Sequence, residues 1–180
     1  MSDRYAPFHS KVISAGAGEA AHVLDGLLHH GADFSIERHH TDGGGVSDHV
    51  FAMCHGMGFL FAPRIPNLSA RRLHLFGGLD PGPDIVPLVG EAIDEELIAA
   101  HWTDVLRLMT SVRTGATSAS AMLERLGSYP RANGLALALR EIGRVERTLC
   151  SLDWIEHPDE RRRATRELNK GEAENGLKRA

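Results

Sequence analysis

Cysteine is almost missing from this chain: Cys54 and Cys150 are the two it has. Both fall on apolar helix stripes and show no CxxC spacing. That implies neither a disulfide framework nor a cysteine zinc site, and it points to a reducing compartment. Long apolar runs are missing as well. The longest fall far short of a membrane span, and residues 1–30 lack the basic-then-apolar order of a secretory leader. A positive net charge is also absent. The 24 acidic residues outnumber the 20 Lys and Arg, leaving −4, which over the whole chain is no nucleic-acid signature.

What is present suits a folded domain. Hydrophobic residues make up 42% of 180 and charged residues 24%, which excludes disorder by composition. The length fits one domain, or one domain carrying an insertion. Charge is unevenly placed. Asp80, Asp84, Glu91, Asp94, Glu95, Glu96 and Asp104 stand in a stretch without Lys or Arg, whereas seven arginines face three glutamates from Arg107 to Arg147. Phosphate attraction depends on local potential, so a basic face remains open to this chain.

The most informative stretch runs from Phe34 to Ile65. Phe34, Ile36 and Arg38 alternate with Ser35, Glu37 and His39, which predicts a half-buried strand. Thr41-Asp42-Gly43-Gly44-Gly45 breaks it, because glycines permit backbone angles that other residues resist. Ser47 or Asp48 can cap a helix whose apolar stripe is Val46, Val50, Met53, Cys54 and Met57. Gly56 and Gly58 end that helix, and Phe59 to Ala62 reads as a second buried strand closed by Pro63. This strand–turn–helix–strand unit sets Asp42 at the carboxyl end of a strand, where open α/β sheets hold ligands. A carboxylate there suits a hard cation such as magnesium. The alternative is an Asp that hydrogen-bonds its own turn. Histidines beside an aspartate can also build a hydrolytic metal site, but neighbouring strand residues point to opposite faces, so His39 and His40 do not easily share one ion. Asp48 reads as a cap rather than a ligand.

Elsewhere the patterning is mostly helical. Tyr5, Phe8 and Val12-Ile13 suggest an initial strand, with Pro7 favouring an edge or bulge. Ala20, Val23, Leu24, Leu27 and Leu28 predict a helix from Glu19 to His30, ended by Gly31, with Asp25 on its solvated side. Residues 67–90 read as an irregular connector. From Ile93 the chain turns helical, with Asp94-Glu95-Glu96 as an acidic first turn and Leu97, Ile98, His101, Trp102, Val105, Leu106 and Met109 as the apolar face. A second is expected from Ser118 to Leu126, stopped by Gly127, and a third after Pro130 and Asn133. On the third, Leu135, Leu139, Ile142, Leu149 and Leu152 line one side, while Arg140, Arg144 and Arg147 form a stripe on another. That stripe is either a solvated face with intrahelical pairs to Glu141 and Glu146 or a contact for a DNA backbone. Pro158 opens the last helix, with Asp159 and Glu160 suited to its positive end.

Several of these segments resemble the Tn-three family of replicative DDE transposases. HHTDGGGVSDHVFAMCHGMGFLFAPRI is similar to the segment around that family's second catalytic aspartate, and VLDGLL matches its preceding helix. SVRTGATSASAMLERLGSYPRANGLALALREIGRVERTLCSLDWI resembles its helical insertion nearly end to end. LNKGEAENGLKRA is similar to its LNKGEARNAL segment, which carries the third catalytic carboxylate and maps onto Glu172. There are departures. A PRIRDL-like segment reads Pro63-Arg64-Ile65-Pro66-Asn67-Leu68 here, and Glu174, Gly176 and Lys178 replace Arg, Ala and Ala. The family's first carboxylate lies in an SSDGQ-like motif upstream of the segment matching SDRYAPF, which here begins at Ser2.

The resemblance implies an α/β fold: a partial ribonuclease-H-like (DDE) core interrupted by a large all-helical insertion. Residues 1–68 would be the first part of the core, 69–157 the insertion, and 158–180 the core helix bearing the last carboxylate. It implies that Asp42 and Glu172 are catalytic and ligate two Mg2+ (or Mn2+) ions. Arg64, Arg140, Arg144, Arg147, Lys170 and Asn175 would be the candidates for DNA contact. Glu172 falls near Leu168, Asn175 and Arg179 around the helix axis, so it could face a sheet edge. The implied chemistry is strand cleavage and strand transfer on DNA, with terminal inverted repeats and target DNA as partners and no membrane. A homodimer is expected for the full-length protein, in the bacterial cytoplasm and nucleoid-associated when acting. With one of three carboxylates outside these residues, the segment alone is expected to be inactive. A decayed remnant that binds nucleic acid or a partner is the alternative, and a hydrolase using His40 and Asp42 a more distant one.

Overall fold

The computed structural model describes residues 19–31, 36–43, 46–128 and 133–177, and side chains of the last helix as far as Asn169. Its elements in chain order are α1 (Glu19–Leu28), β1 (Arg38–Thr41), α2 (Asp48–Met57), β2 (Leu60–Pro63), α3 (Glu95–Arg113), α4 (Ala119–Ser128), α5 (Gly134–Glu156) and α6 (Pro158–Leu177). The result is a mixed fold, dominated by helix, around a small parallel sheet. The initial strand expected over residues 1–13, and Phe34, Gly44, Gly45, Pro130, Lys178 and Arg179, lie outside the described residues.

The strand–helix–strand unit forms, with shifted boundaries. β1 and β2 are parallel, Arg38 lying opposite Leu60, His39 opposite Phe61, His40 opposite Ala62 and Thr41 opposite Pro63. β2 starts at Leu60 rather than Phe59 because the chain is still closing α2. Gly58 N–H donates to the His55 carbonyl and Phe59 N–H to that of Cys54, both at 2.9 Å. Gly58 takes the left-handed conformation (φ 87°), so it is the C-cap. Gly56 lies inside the helix, and a Cβ there would meet the Met109 sulfur at 2.5 Å. At the other end Ser47 is the N-cap, its hydroxyl accepting from Val50 N–H. Asp48 is not the cap: its carboxylate lies 2.7 Å from Arg147.

Val50, Phe51, Ala52, Met53, Cys54 and Met57 of α2 are all buried, so apolar contact surrounds this helix on most sides. The closest approach comes from α5. A Cβ on Gly143 would sit 1.7 Å from the Asp48 carbonyl oxygen, so only a bare backbone fits there. α5 buries mainly small residues (Ala136, Ala138, Gly143) with Leu139, while Leu149 is 51% exposed. α3 buries Val105, Leu108, Met109 and Val112, and leaves Trp102 and Leu106 about half exposed. The expected stripe was broader than the face its neighbours could cover. α4 extends to Ser128 and includes Gly127.

Two polar residues have partners that short-range patterning does not reveal. Asp25 is not a solvated surface group. It accepts from Ser120 Oγ at 2.6 Å and Ser120 N–H at 3.2 Å, tying α1 to the first turn of α4. Residues 67–90 are irregular but anchored. Leu73 pairs with Val89, His74 N–H donates to Thr148 Oγ1 at 2.9 Å, and the His74 ring meets the Glu91 carbonyl at 2.8 Å.

Candidate functional site

Asp42 directly follows the last residue of β1 and is exposed. Its Oδ1 accepts a long 3.4 Å bond from Thr41 Oγ1. Next, Gly43 adopts φ +98°, and a Cβ there would come 3.1 Å from the Arg64 carbonyl. Arg64 N–H in turn donates to the Thr41 carbonyl at 2.8 Å. The strand ends therefore bring Asp42 and exposed Arg64 together.

Alternation along β1 sorts its side chains onto two faces. His39 stacks on Phe61 at 5.9 Å, and Phe61 meets Phe51 of α2 edge-on at 4.9 Å. Burial holds His39 far below its ordinary value, at about 4. Arg38 and His40 lie on the other face, along α6. Arg38 is ion-paired with Glu160, and His40 feels the charges of Arg163 and Glu167. Burial also lowers His40, and its Nδ1 is buried with no hydrogen-bond partner among the described residues. His39 and His40 thus do different things, one in the core and one beneath α6.

His39 yields a pH prediction. Between its ordinary 6.5 and about 4 the unfolded chain takes up a proton that the folded chain refuses. Stability is therefore full above about pH 6.5 and falls as pH drops toward 4, by on the order of 3 kcal/mol for this group alone. Urea denaturation at about pH 7.5 and about pH 5 should show a smaller loss for His39→Phe than for the native chain. Equal losses would show that His39 is not the group responsible.

The last helix carries the remaining candidates. Lys170, Glu172 and Asn175 all fall within α6. Glu160 sits at Arg38, and Arg163 and Glu167 act on His40, so α6 runs in the same sense as β1. Asp42 lies about 13 Å along the strand from Arg38. Position 172 lies about 18 Å along the helix from Glu160. Both therefore belong to the same end of the β1–α6 pair.

The arginines of α5 are engaged internally. Arg144 contacts Glu91 at 2.8 Å and Glu141 at 2.9 Å, and Arg147 contacts Asp48. Arg140 is more exposed and reaches Glu141 at 3.2 Å. Glu141 itself is only 2% exposed, and an unpaired carboxylate there would be costly. The pairs to Glu141 lie within α5, as intrahelical pairing predicts, whereas Arg144–Glu91 and Arg147–Asp48 cross between elements.

A cavity of about 420 Å³ lies between the sheet, α5 and the start of α6, with Arg38, His40, Trp154, His157 and Glu160 among its lining. Asp42 does not line it. Burial pushes the Cys54 thiol up to about 12 and the Cys150 thiol up to about 11, which disfavours the thiolate in both. Among the described residues no three His, Cys, Asp or Glu side chains are placed to hold a metal, and no helix is long and apolar enough to cross a membrane. The residue that sequence reasoning missed is Arg38. Its signal was its position on β1 four residues before Asp42.

Comparison with known proteins bears on this arrangement. A family model described as the Tn3 transposase DDE domain matches residues 1–180. The chain is 51% identical over its whole length to the transposase for transposon Tn501 of Pseudomonas aeruginosa, and equally to the transposase for transposon Tn21 of Escherichia coli. It is 30% identical to the transposase for transposon gamma-delta of Escherichia coli strain K12. In each case it spans 18% of the relative's length.

Proposed function

Since the chain belongs to the Tn3 transposase DDE domain family, we propose that it is the segment supplying two of the three metal-binding carboxylates of a DNA transposase. One observation carries this reading. Asp42 directly follows the strand that is ion-paired to the start of α6, and α6 is the helix that bears Glu172. Carboxylates from separate elements are the usual holders of divalent ions in phosphoryl transfer, and their hard oxygens suit Mg2+ or Mn2+. A bound pair of such ions would supply positive charge against the phosphoryl oxygens.

The protein's own groups would position the substrate. Arg64, exposed beside Asp42, would contact a phosphate oxygen of the DNA, joined by Lys170 and Asn175 from α6. Arg140, Arg144 and Arg147 have a different role in this reading. Arg144 with Glu91 and Arg147 with Asp48 tie α5 to the rest of the fold, while Arg140 pairs within α5 and is the most exposed of the three. The two parallel strands would be part of a ribonuclease-H-like sheet completed by residues outside the described ones, since an isolated pair is marginal alone. Substrates would be transposon ends and target DNA, acted on in a dimer. Water would attack the phosphorus at the transposon end and displace the 3′ oxygen as a hydroxyl, which would then attack a phosphorus of target DNA and displace that strand's 3′ oxygen.

A nicking assay on terminal-repeat DNA tests the reading. A full-length transposase carrying this segment should cut with Mg2+, lose cutting on chelation and recover it with added metal, whereas residues 1–180 alone should show no turnover. Cutting that survives chelation, or turnover by the segment alone, would contradict it.

A further inference from the structure

We propose that the Arg38–Glu160 ion pair is a register clamp that fixes α6 along β1 and so sets the position of Glu172 relative to Asp42. The inference rests on the two-carboxylate reading above and adds the residues that would make it geometrically exact enough to work. Arg38 lies on β1 four residues before Asp42, and Glu160 lies twelve residues before Glu172 on the same helix. The pair therefore couples the two elements one short step upstream of both carboxylates. Ala164, one turn beyond Glu160, is buried to 2% exposure, so the helix lies close at that level. His40, two residues further along β1, lines the same cavity as Arg38, Glu160 and Ala164. From Glu160 to position 172 the chain is one continuous helix, so a shift of register at Glu160 carries through to position 172.

The pair is partly exposed, 28% at Arg38 and 35% at Glu160. Ion pairs of that kind add little to stability, so a merely structural role gives this pair little to do. Positioning is different, because displacements of about 1 Å at a catalytic constellation cost about a hundredfold in rate. Arg38 and Glu160 are positioning residues here and touch neither substrate nor metal.

The test is a distance measurement that needs no activity. Spin labels are placed at Arg64→Cys, beside Asp42, and at Ala173→Cys, beside Glu172, with Cys150→Ser. Cys54 is buried and its thiol stays protonated. Carboxylates sharing ions about 4 Å apart imply one narrow label distance below about 25 Å. Arg38→Glu, which sets two carboxylates against each other, should broaden that distance and lengthen it by about 5 Å, one helical turn. Adding Glu160→Arg should restore the native distribution. Arg38→Gln should give a smaller broadening with the melting temperature unchanged, which covers the case in which Arg38→Glu does not fold. If Arg38→Glu and Arg38→Gln both leave the distance unchanged, or if the reversed pair fails to restore it, the clamp is wrong while the two-carboxylate site stands. A native distance well above 25 Å would instead remove the site reading itself.

Discussion

Asp42→Asn and Glu172→Gln should each lower metal-dependent cleavage by a full-length transposase carrying this segment by on the order of 10³-fold or more. The charge on each carboxylate is what the reading requires, and the amides keep shape while removing it. Because both would hold the same ions, the losses should not add. The double variant should be about as slow as either single one, the behaviour of groups acting as a unit. Glu174→Gln is the control on the same helix and should stay within about threefold, because it leaves both carboxylates of the proposed site in place. Binding to terminal-repeat DNA should be largely kept in all of them. Additive losses, or a Glu172→Gln variant of native rate, would show that the two side chains do not share a site.

The largest effect on stability is expected at Gly143. A methyl group there would fall 1.7 Å from the Asp48 carbonyl oxygen, 2.4 Å from its carbonyl carbon and 2.8 Å from its Cα. All three atoms are backbone at the first turn of the central helix and cannot swing aside, so Gly143→Ala must push α5 away from α2. That loosens the Asp48–Arg147 pair as well. Overpacking usually costs about 1–3 kcal/mol. With backbone on the opposing side, urea denaturation should show a loss of at least about 3 kcal/mol, large against a total of about 5–15 kcal/mol. Gly56→Ala makes the comparison. Its new methyl would meet the end of the Met109 side chain, which is flexible. The gain in helix propensity is about 1 kcal/mol, so that variant should be near neutral. Equal effects at the two positions would mean that the α2–α5 contact is looser than described.

How much of this was legible in the residues follows a physical division. The unit from β1 to β2 was legible because its signals are local: alternation, a glycine break, a serine cap, and a glycine able to take φ 87°. Even there Gly56 looked like a stop when it is a packing contact, because spacing cannot tell a left-handed glycine from one that makes room for Met109. Asp42 was legible as a carboxylate at a strand end. Partners distant in sequence were not. Nothing around Asp25 announces Ser120, and the partners of Arg144 and Arg147, Glu91 and Asp48, lie on other elements. Sequence periodicity reports which residues share a face of one element, and says nothing of which element meets that face. Leu149, Trp102 and Leu106 show the same limit: their faces looked apolar, and neighbours do not cover them. Glu172 was legible only through resemblance, since without it the residue is one glutamate among many on a charged helix.

The arrangement also separates two roles that composition confuses. An acidic chain can act on DNA if its cations stand near the reaction and its remaining charge is paired. Here exposed Arg64 adjoins Asp42, while Arg144 and Arg147 are held by carboxylates within the fold.

The most direct measurement is anomalous diffraction from crystals of the full-length transposase carrying this segment, soaked in Mn2+. The account predicts manganese with ligand distances of about 2.2 Å to carboxylate oxygens of both Asp42 and Glu172. Manganese bound by Asp42 and His40, with the Glu172 carboxylate remote from the ion, would contradict it.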